Sequence, residues 1–359
     1  MYEWFEVKNF RCFGHLRIEG LERVNLIAGL NNAGKTSLLE ALFVHGGAYN
    51  PDLALKIDAF RGMDRFKVEL GSLRESPWDS AFHQFNTAES AVLRGKYVDA
   101  GTRSLTLRVL RKPSELSAAA AFLASVQAGN GGSKPIVGAQ ILELQYTAAR
   151  QSGKHYMIVD SGGVRTQPLP SPPPYPTYYV GGRMPTGPKE DAVLFGDLQV
   201  RNAADLIATT LQLVDPRVKR LAVAVVADEP VIHGDIGLDR MLPLPLMGGG
   251  MVRLTSIILR IAVSKNGVVL LDEFENGLHH SLLPRVWRAV REAAQTFNVQ
   301  VFATTHSHEC IAAAHKSFSE KFPYDLRLYR LERKNRESAV VSYDQETLQT
   351  ALETGLEIR

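Results

Sequence analysis

Two stretches of this chain carry residue types that act together on phosphate. Gly29-Leu30-Asn31-Asn32-Ala33-Gly34-Lys35-Thr36 is a full match to the loop pattern G-x-x-x-x-G-K-[ST]. In that pattern the lysine reaches β/γ-phosphates and the threonine hydroxyl ligates Mg²⁺. Four aliphatic residues, Val268 to Leu271, run into Asp272-Glu273. That places two carboxylates at the carboxyl end of a buried strand, where Asp272 can hold Mg²⁺ through its water shell and Glu273 can orient or deprotonate a water. Thr304-Thr305-His306-Ser307 ends the next apolar run, and a neutral imidazole there would touch a γ-phosphate. His306 and His308 have no third metal ligand in sight.

These groups need elements to hold them. Val24 to Ala28 is short and apolar, as a buried strand is, and Leu38, Leu39, Leu42 and Phe43 recur at helical spacing. A phosphate between the two meets a helix N-terminus with unpaired N–H groups, and the glycines let the backbone approach it. Met247 to Gly250 opens a helix running to about Ser264, Pro284 to Phe297 forms another, and Val299 to Thr304 is a strand. This alternation predicts a parallel α/β core. The run Met247-Gly248-Gly249-Gly250 is either a second phosphate site at a helix start or a flexible turn.

Elsewhere the pattern is looser. Residues 2–28 alternate into three short strands, the first two antiparallel. Trp78 to Phe85 is polar-aromatic, Ser104 to Leu110 is a strand, and 117–133 reads as a short helix running into a loop. Residues 168–188 hold eight prolines and read as an extended surface connection. Asn202 to Val214 is an amphipathic helix, Arg220 to Ala227 a strand, and Arg327 to Leu331 with Ala339 to Tyr343 a hairpin followed by a short helix. At 359 residues and 45% hydrophobic the chain can bury a large core. A net charge of +3 neither demands nor excludes nucleic acid. Two cysteines make no disulfide framework, and no stretch approaches the roughly 18–20 apolar residues of a membrane span, so a cytoplasmic protein without a membrane partner is expected.

The order of P-loop, glycine run, strand-Asp-Glu, Glu275-Asn276-Gly277-Leu278-His279 and His306 resembles the ABC-type ATPase head. NNAGKTSLLEALF, LLDEFENGLHHS and NVQVFATTHSHECI are similar to RecF, SMC and OLD proteins, above all to stand-alone bacterial AAA-family ATPases without a TOPRIM domain. Residues 2–44 and about 190–315 carry the resemblance. It implies a single ABC-type domain over 1–359: a mostly parallel core sheet with an N-terminal antiparallel β-subdomain (1–48 and 190–345) and an inserted helical lobe with loops (49–189). It implies ATP and Mg²⁺ as ligands, sandwiched between two heads in a homodimer or higher oligomer. Asn31, Asn32, Ala33, Gly34, Lys35, Thr36 and Ser37 would hold phosphate, and Gly248, Gly249 and Gly250 would touch the nucleotide of the other copy. Thr36, Asp272 and a Q-loop glutamine, for which Gln84 is the candidate, would serve the metal. Glu273, His306 and Lys35 would carry catalysis. Met247 stands where a serine is usual, which removes one hydroxyl contact and points to slow turnover. Arg11 either approaches the phosphates or is solvated.

Two functions fit. One is a regulatory ATPase that holds a separate effector such as a nuclease, as relatives in phage defence do; too little chain follows His306 for a nuclease domain of its own. The alternative is a RecF-like ATPase clamp on DNA, with nucleic acid as the partner. Residues 50–190 are either a partner site or a lobe that completes the fold.

Overall fold

The computed structural model describes residues 1–47, 50–59, 77–127, 139–149, 151–160, 163–170, 172–173, 175–182, 187–320, 323–334 and 337–359. The chain begins with β1 (Tyr2–Phe10), β2 (Phe13–Glu19), β3 (Val24–Ala28), α1 (Lys35–Gly46) and α2 (Leu53–Ala59). Next come β4 (Ala91–Tyr97), β5 (Gly101–Leu110), α3 (Pro113–Gln127), β6 (Gln140–Ala148), β7 (Gln151–Asp160), β8 (Gly163–Gln167) and β9 (Thr177–Val180). Then follow α4 (Pro188–Val200), α5 (Ala204–Gln212), β10 (Arg220–Val226), β11 (Glu229–Asp235), β12 (Leu242–Pro243) and α6 (Gly249–Val263). The last part holds β13 (Val268–Leu271), α7 (Leu283–Thr296), β14 (Gln300–Thr304), α8 (His308–Ser319), β15 (Leu326–Lys334), β16 (Glu337–Tyr343) and α9 (Gln345–Glu353).

The core sheet has the order β16-β15-β3-β14-β13-β9 and is parallel except for β16. Its central strands are buried on both faces, which is why they read as unbroken apolar runs. Successive side chains still go to opposite faces. Val269 and Leu271 join the cluster with α6, α7 and α8, while Val268 and Leu270 join the one with α1 and the N-terminal strands. A fully buried ion pair, Arg260 to Asp191 at 2.5 Å, ties α6 to α4 and so fixes the helix that begins with the glycine run.

The insert differs from the helical lobe expected at 49–189. Its described residues hold more strand than helix: β4 to β8 extend β2-β1 into one seven-stranded antiparallel sheet. The alternation is clear in β5, whose burial switches residue by residue from Arg103 to Val109. Charged residues on these strands disguise them, yet they are paired there, as Arg108 is to Glu143 at 3.1 Å. The helical layer comes after the insert, from α4, α5 and α6. The helix expected within 117–133 is α3, starting earlier at Pro113, and the loop expected after it lies outside the described residues. The proline-rich 168–188 segment is also not all surface connection. Tyr175 and Pro176 lead directly into β9, which pairs in parallel with β13, Val180 opposite Leu271.

Candidate active site

The phosphate loop joins β3 to α1 and its glycines are required by geometry. Gly34 has φ 106°, and a Cβ there would stand 2.7 Å from Cys12 Sγ and 2.8 Å from the Phe13 ring. Gly29 has φ 144° with the Leu331 carbonyl oxygen 2.6 Å from where its Cβ would be. Gly34→Ala is therefore expected to cost roughly 1–3 kcal/mol of stability from backbone strain and overlap, measured as a lower Tm and denaturant midpoint. The N-cap of α1, Gly34, makes no side-chain cap hydrogen bond, and the N-terminus of a helix is where backbone N–H groups favour an anion. Lys35 Nζ lies at the loop mouth, donating to the Gly29 carbonyl at 2.6 Å and the Leu30 carbonyl at 3.1 Å. Burial holds its pKa below the usual lysine value, against the opposing pull of Asp272, Glu275 and Glu273.

Asp272 sits at the end of β13, 8% exposed, and three hydroxyls converge on its carboxylate. Thr304 Oγ1 donates at 2.6 Å, Tyr179 OH at 2.9 Å and Thr36 Oγ1 at 3.0 Å. The P-loop threonine and the strand-end aspartate, 236 residues apart, thus meet. Glu273 follows with φ 47°, a left-handed conformation that a non-glycine residue adopts at a cost. It is held there by its N–H donating to Thr304 Oγ1 at 2.8 Å, and its Oε2 accepts from Asn276 Nδ2 at 2.6 Å. Glu275 accepts the backbone N–H of His306 at 3.0 Å, and its Oε1 lies 3.2 Å from His306 Nδ1. His306, half exposed, lines a cleft of about 700 Å³ with Gly29 to Ala33, Arg330, Arg333 and Arg359. That volume falls within the roughly 300–1,000 Å³ of small-molecule sites.

The glycine run lies elsewhere. Gly249 lines a different cleft with Gly182, Arg253, Asn276 and Gly277, and the two clefts share no lining residue. Arg253, one turn into α6, donates to the Gly181 carbonyl at 2.8 Å and the Asp272 carbonyl at 3.0 Å, clamping the ends of β9 and β13.

Two candidate residues are not brought to the site. Gln84 is exposed, in a turn at His83–Phe85 beside the end of β1, and has no hydrogen bond to Thr36 or Asp272. The third hydroxyl on Asp272 comes instead from Tyr179, hidden behind the prolines in the sequence. Arg11 is neither solvated nor directed at phosphate. It is buried, with Nε on Glu40 at 2.9 Å, Nη2 on Asp58 at 2.6 Å and Nη1 on the Ser80 carbonyl at 3.0 Å.

The donor set fits a hard divalent cation. A threonine hydroxyl and a carboxylate share one point, oxygen ligands of the kind Mg²⁺ takes. Thr36 and Asp272 would hold it, and it would supply charge neutralisation at the phosphates.

Residues 141–312 match the family model described as "AAA domain, putative AbiEii toxin, Type IV TA system", and residues 5–63 match one described as "AAA domain". These matches support an ABC-type ATPase head similar to those of RecF and SMC proteins. It is 22% identical to an "ATP/GTP phosphatase" of Helicobacter pylori, over 92% of each chain. It is 31% identical over 121 residues to the DNA replication and repair protein RecF of Thioalkalivibrio sulfidiphilus, spanning 31% of this chain and 33% of RecF. Two SMC heads share the ATPase-head fold. One, solved with the C-terminal winged-helix domain of ScpA, aligns at TM-score 0.51 and 15% identity over 97% of this chain and 99% of its own. The other, an SMC head with an extended coiled coil bound to the C-terminal domain of ScpA derived from Pyrococcus furiosus, aligns at 0.51 and 14% over 99% of each. No helix among the described residues is long and apolar enough to cross a membrane.

Proposed function

We propose that the chain is a regulatory ATPase that binds and slowly hydrolyses ATP, closes as a dimer around it, and controls a separate effector such as a nuclease, in phage defence. The observation that carries the reading is the meeting of Thr36 with Asp272, with Glu273 held next to it in a fixed conformation. Lys35 and the loop N–H groups from Asn31 to Ser37 bind the phosphates. Glu273 takes the proton of the attacking water, and His306 faces the γ-phosphate. Relatives support the partner part of the reading: a matching family is described as a putative toxin of a toxin–antitoxin system, and the two similar SMC heads were solved with ScpA domains bound.

Gly249, within the run Gly248 to Gly250, supports the dimer reading. A Cβ at Gly249 would meet nothing within 4 Å, and its backbone is not left-handed, so this chain has no need of glycine there. A second copy whose phosphates approach that backbone would need it. Gly249→Glu is thus expected to leave Tm unchanged and abolish ATP-dependent dimerisation, measured by light scattering; an unimpaired ATP-dependent dimer would remove the trans contact.

The effector is tested by co-purifying the product of the adjacent gene with wild type and Lys35→Ala. Capture by wild type alone is expected. The similarity to RecF supports a second reading, a DNA clamp. If no partner is recovered and the pure protein binds duplex DNA in an ATP-dependent, salt-sensitive way, that reading replaces the first.

A further inference from the structure

The small sheet β10-β11-β12 leaves β10 as an open edge. Ala227 and Asp228, with φ 49° and 63°, form the two-residue turn between Val226 and Glu229. That closing pair exchanges hydrogen bonds. By alternation Ala224 and Ala222 also point their N–H and C=O groups at β11, while Leu221, Val223 and Val225 point theirs outward. None of these outward groups has a hydrogen-bond partner among the described residues. Proteins guard such edges with charges, prolines or bulges. From Leu221 to Ala227 there is none, and Val225 is 71% and Val226 48% exposed.

We propose that β10 pairs edge to edge with β10 of a second copy of this chain, antiparallel and centred on Val223, forming an interface distinct from the nucleotide site. This register sets Val223 against its own counterpart and Leu221 against Val225, so every outward group finds a partner. It also turns exposed Val225 toward the other copy's Leu221, on the face that packs into the core. The charges that are not already paired within the chain agree: Lys219 of one copy falls opposite Ala227 of the other, next to Asp228, whereas Arg217 and Glu229 are held by Asp215 and Lys189. One strand pair buries less than the roughly 1,200 Å² of a self-standing interface, so the contact is concentration-dependent.

The same small sheet leads, on its other side, to the glycine run. Gly234 of β11 packs against Met247, whose Sδ is 2.6 Å from where a Cβ would be, and β12 leads through Pro243 into the turn before Gly248. Edge pairing would therefore link nucleotide dimers into a larger assembly, a consequence that rests on the dimer reading, whereas the pairing itself does not.

Cysteine cross-linking of the full chain without nucleotide tests it. Facing residues of a hydrogen-bonded antiparallel pair sit about 5.5 Å apart at Cα, within the roughly 4.4–6.8 Å that a disulfide spans. Val223→Cys is expected to give a covalent dimer on mild oxidation, above the background of Cys12 and Cys310 in wild type. Val225→Cys is more exposed but lies roughly 13 Å from its own counterpart. It should cross-link at least about tenfold more slowly. Val225→Lys, its side chain in water in the monomer, should keep Tm and convert a concentration-dependent dimer into a monomer by sedimentation. Equal cross-linking of the two cysteine variants, or a wild type that sediments as a monomer at every concentration, overturns the pairing.

Discussion

Lys35→Ala is expected to lower ATP affinity by at least about 100-fold, because each charge-assisted hydrogen bond to phosphate contributes roughly 1.5–3 kcal/mol and the ammonium makes more than one. The fold should hardly notice. The carbonyls of Gly29 and Leu30 that Lys35 now bonds border an open cleft, where water can replace it. Isothermal titration with ATP and a thermal melt separate the two effects, and a variant that binds ATP like wild type would remove Lys35 from the phosphate site.

Glu273→Gln separates binding from chemistry. The glutamine keeps the shape and can still offer an oxygen to Asn276, and the backbone at φ 47° is held by Thr304 whatever the side chain. Only the proton acceptor is lost, so hydrolysis is expected to fall by about 10²–10⁴-fold while ATP stays bound. Phosphate release and retained nucleotide are the readouts. Equal hydrolysis by wild type and variant would take the base role from Glu273.

The parts of the site that a sequence reader can place are those whose physics is local. β13 runs over Val268–Leu271 as the apolar run implies, because a strand buried on both faces has no polar position to blur it. The glycines at 29 and 34 announce their loop because nothing larger fits. What escaped depends on register between distant strands. Tyr179 reaches Asp272 only because β9 pairs in parallel with β13, and nothing in the proline-rich stretch before it signals that pairing. Arg11 was open to two readings since its partners, Glu40 and Asp58, come from two different helices. The antiparallel sheet of the insert was obscured by charges that look solvated in sequence and are paired in the fold, as with Glu143, which accepts from Arg108, Lys154 and the Tyr156 hydroxyl.

The central claim, that ATP is held between the P-loop of one copy and the glycine run of another, is tested most directly by the molar mass of the doubly substituted Glu273→Gln, Val225→Lys chain with and without Mg²⁺-ATP. The first substitution preserves the nucleotide and the second removes edge pairing. A mass that doubles on adding Mg²⁺-ATP and returns to the monomer when Gly249→Glu is added is the predicted result. A chain that binds Mg²⁺-ATP and stays monomeric would contradict it.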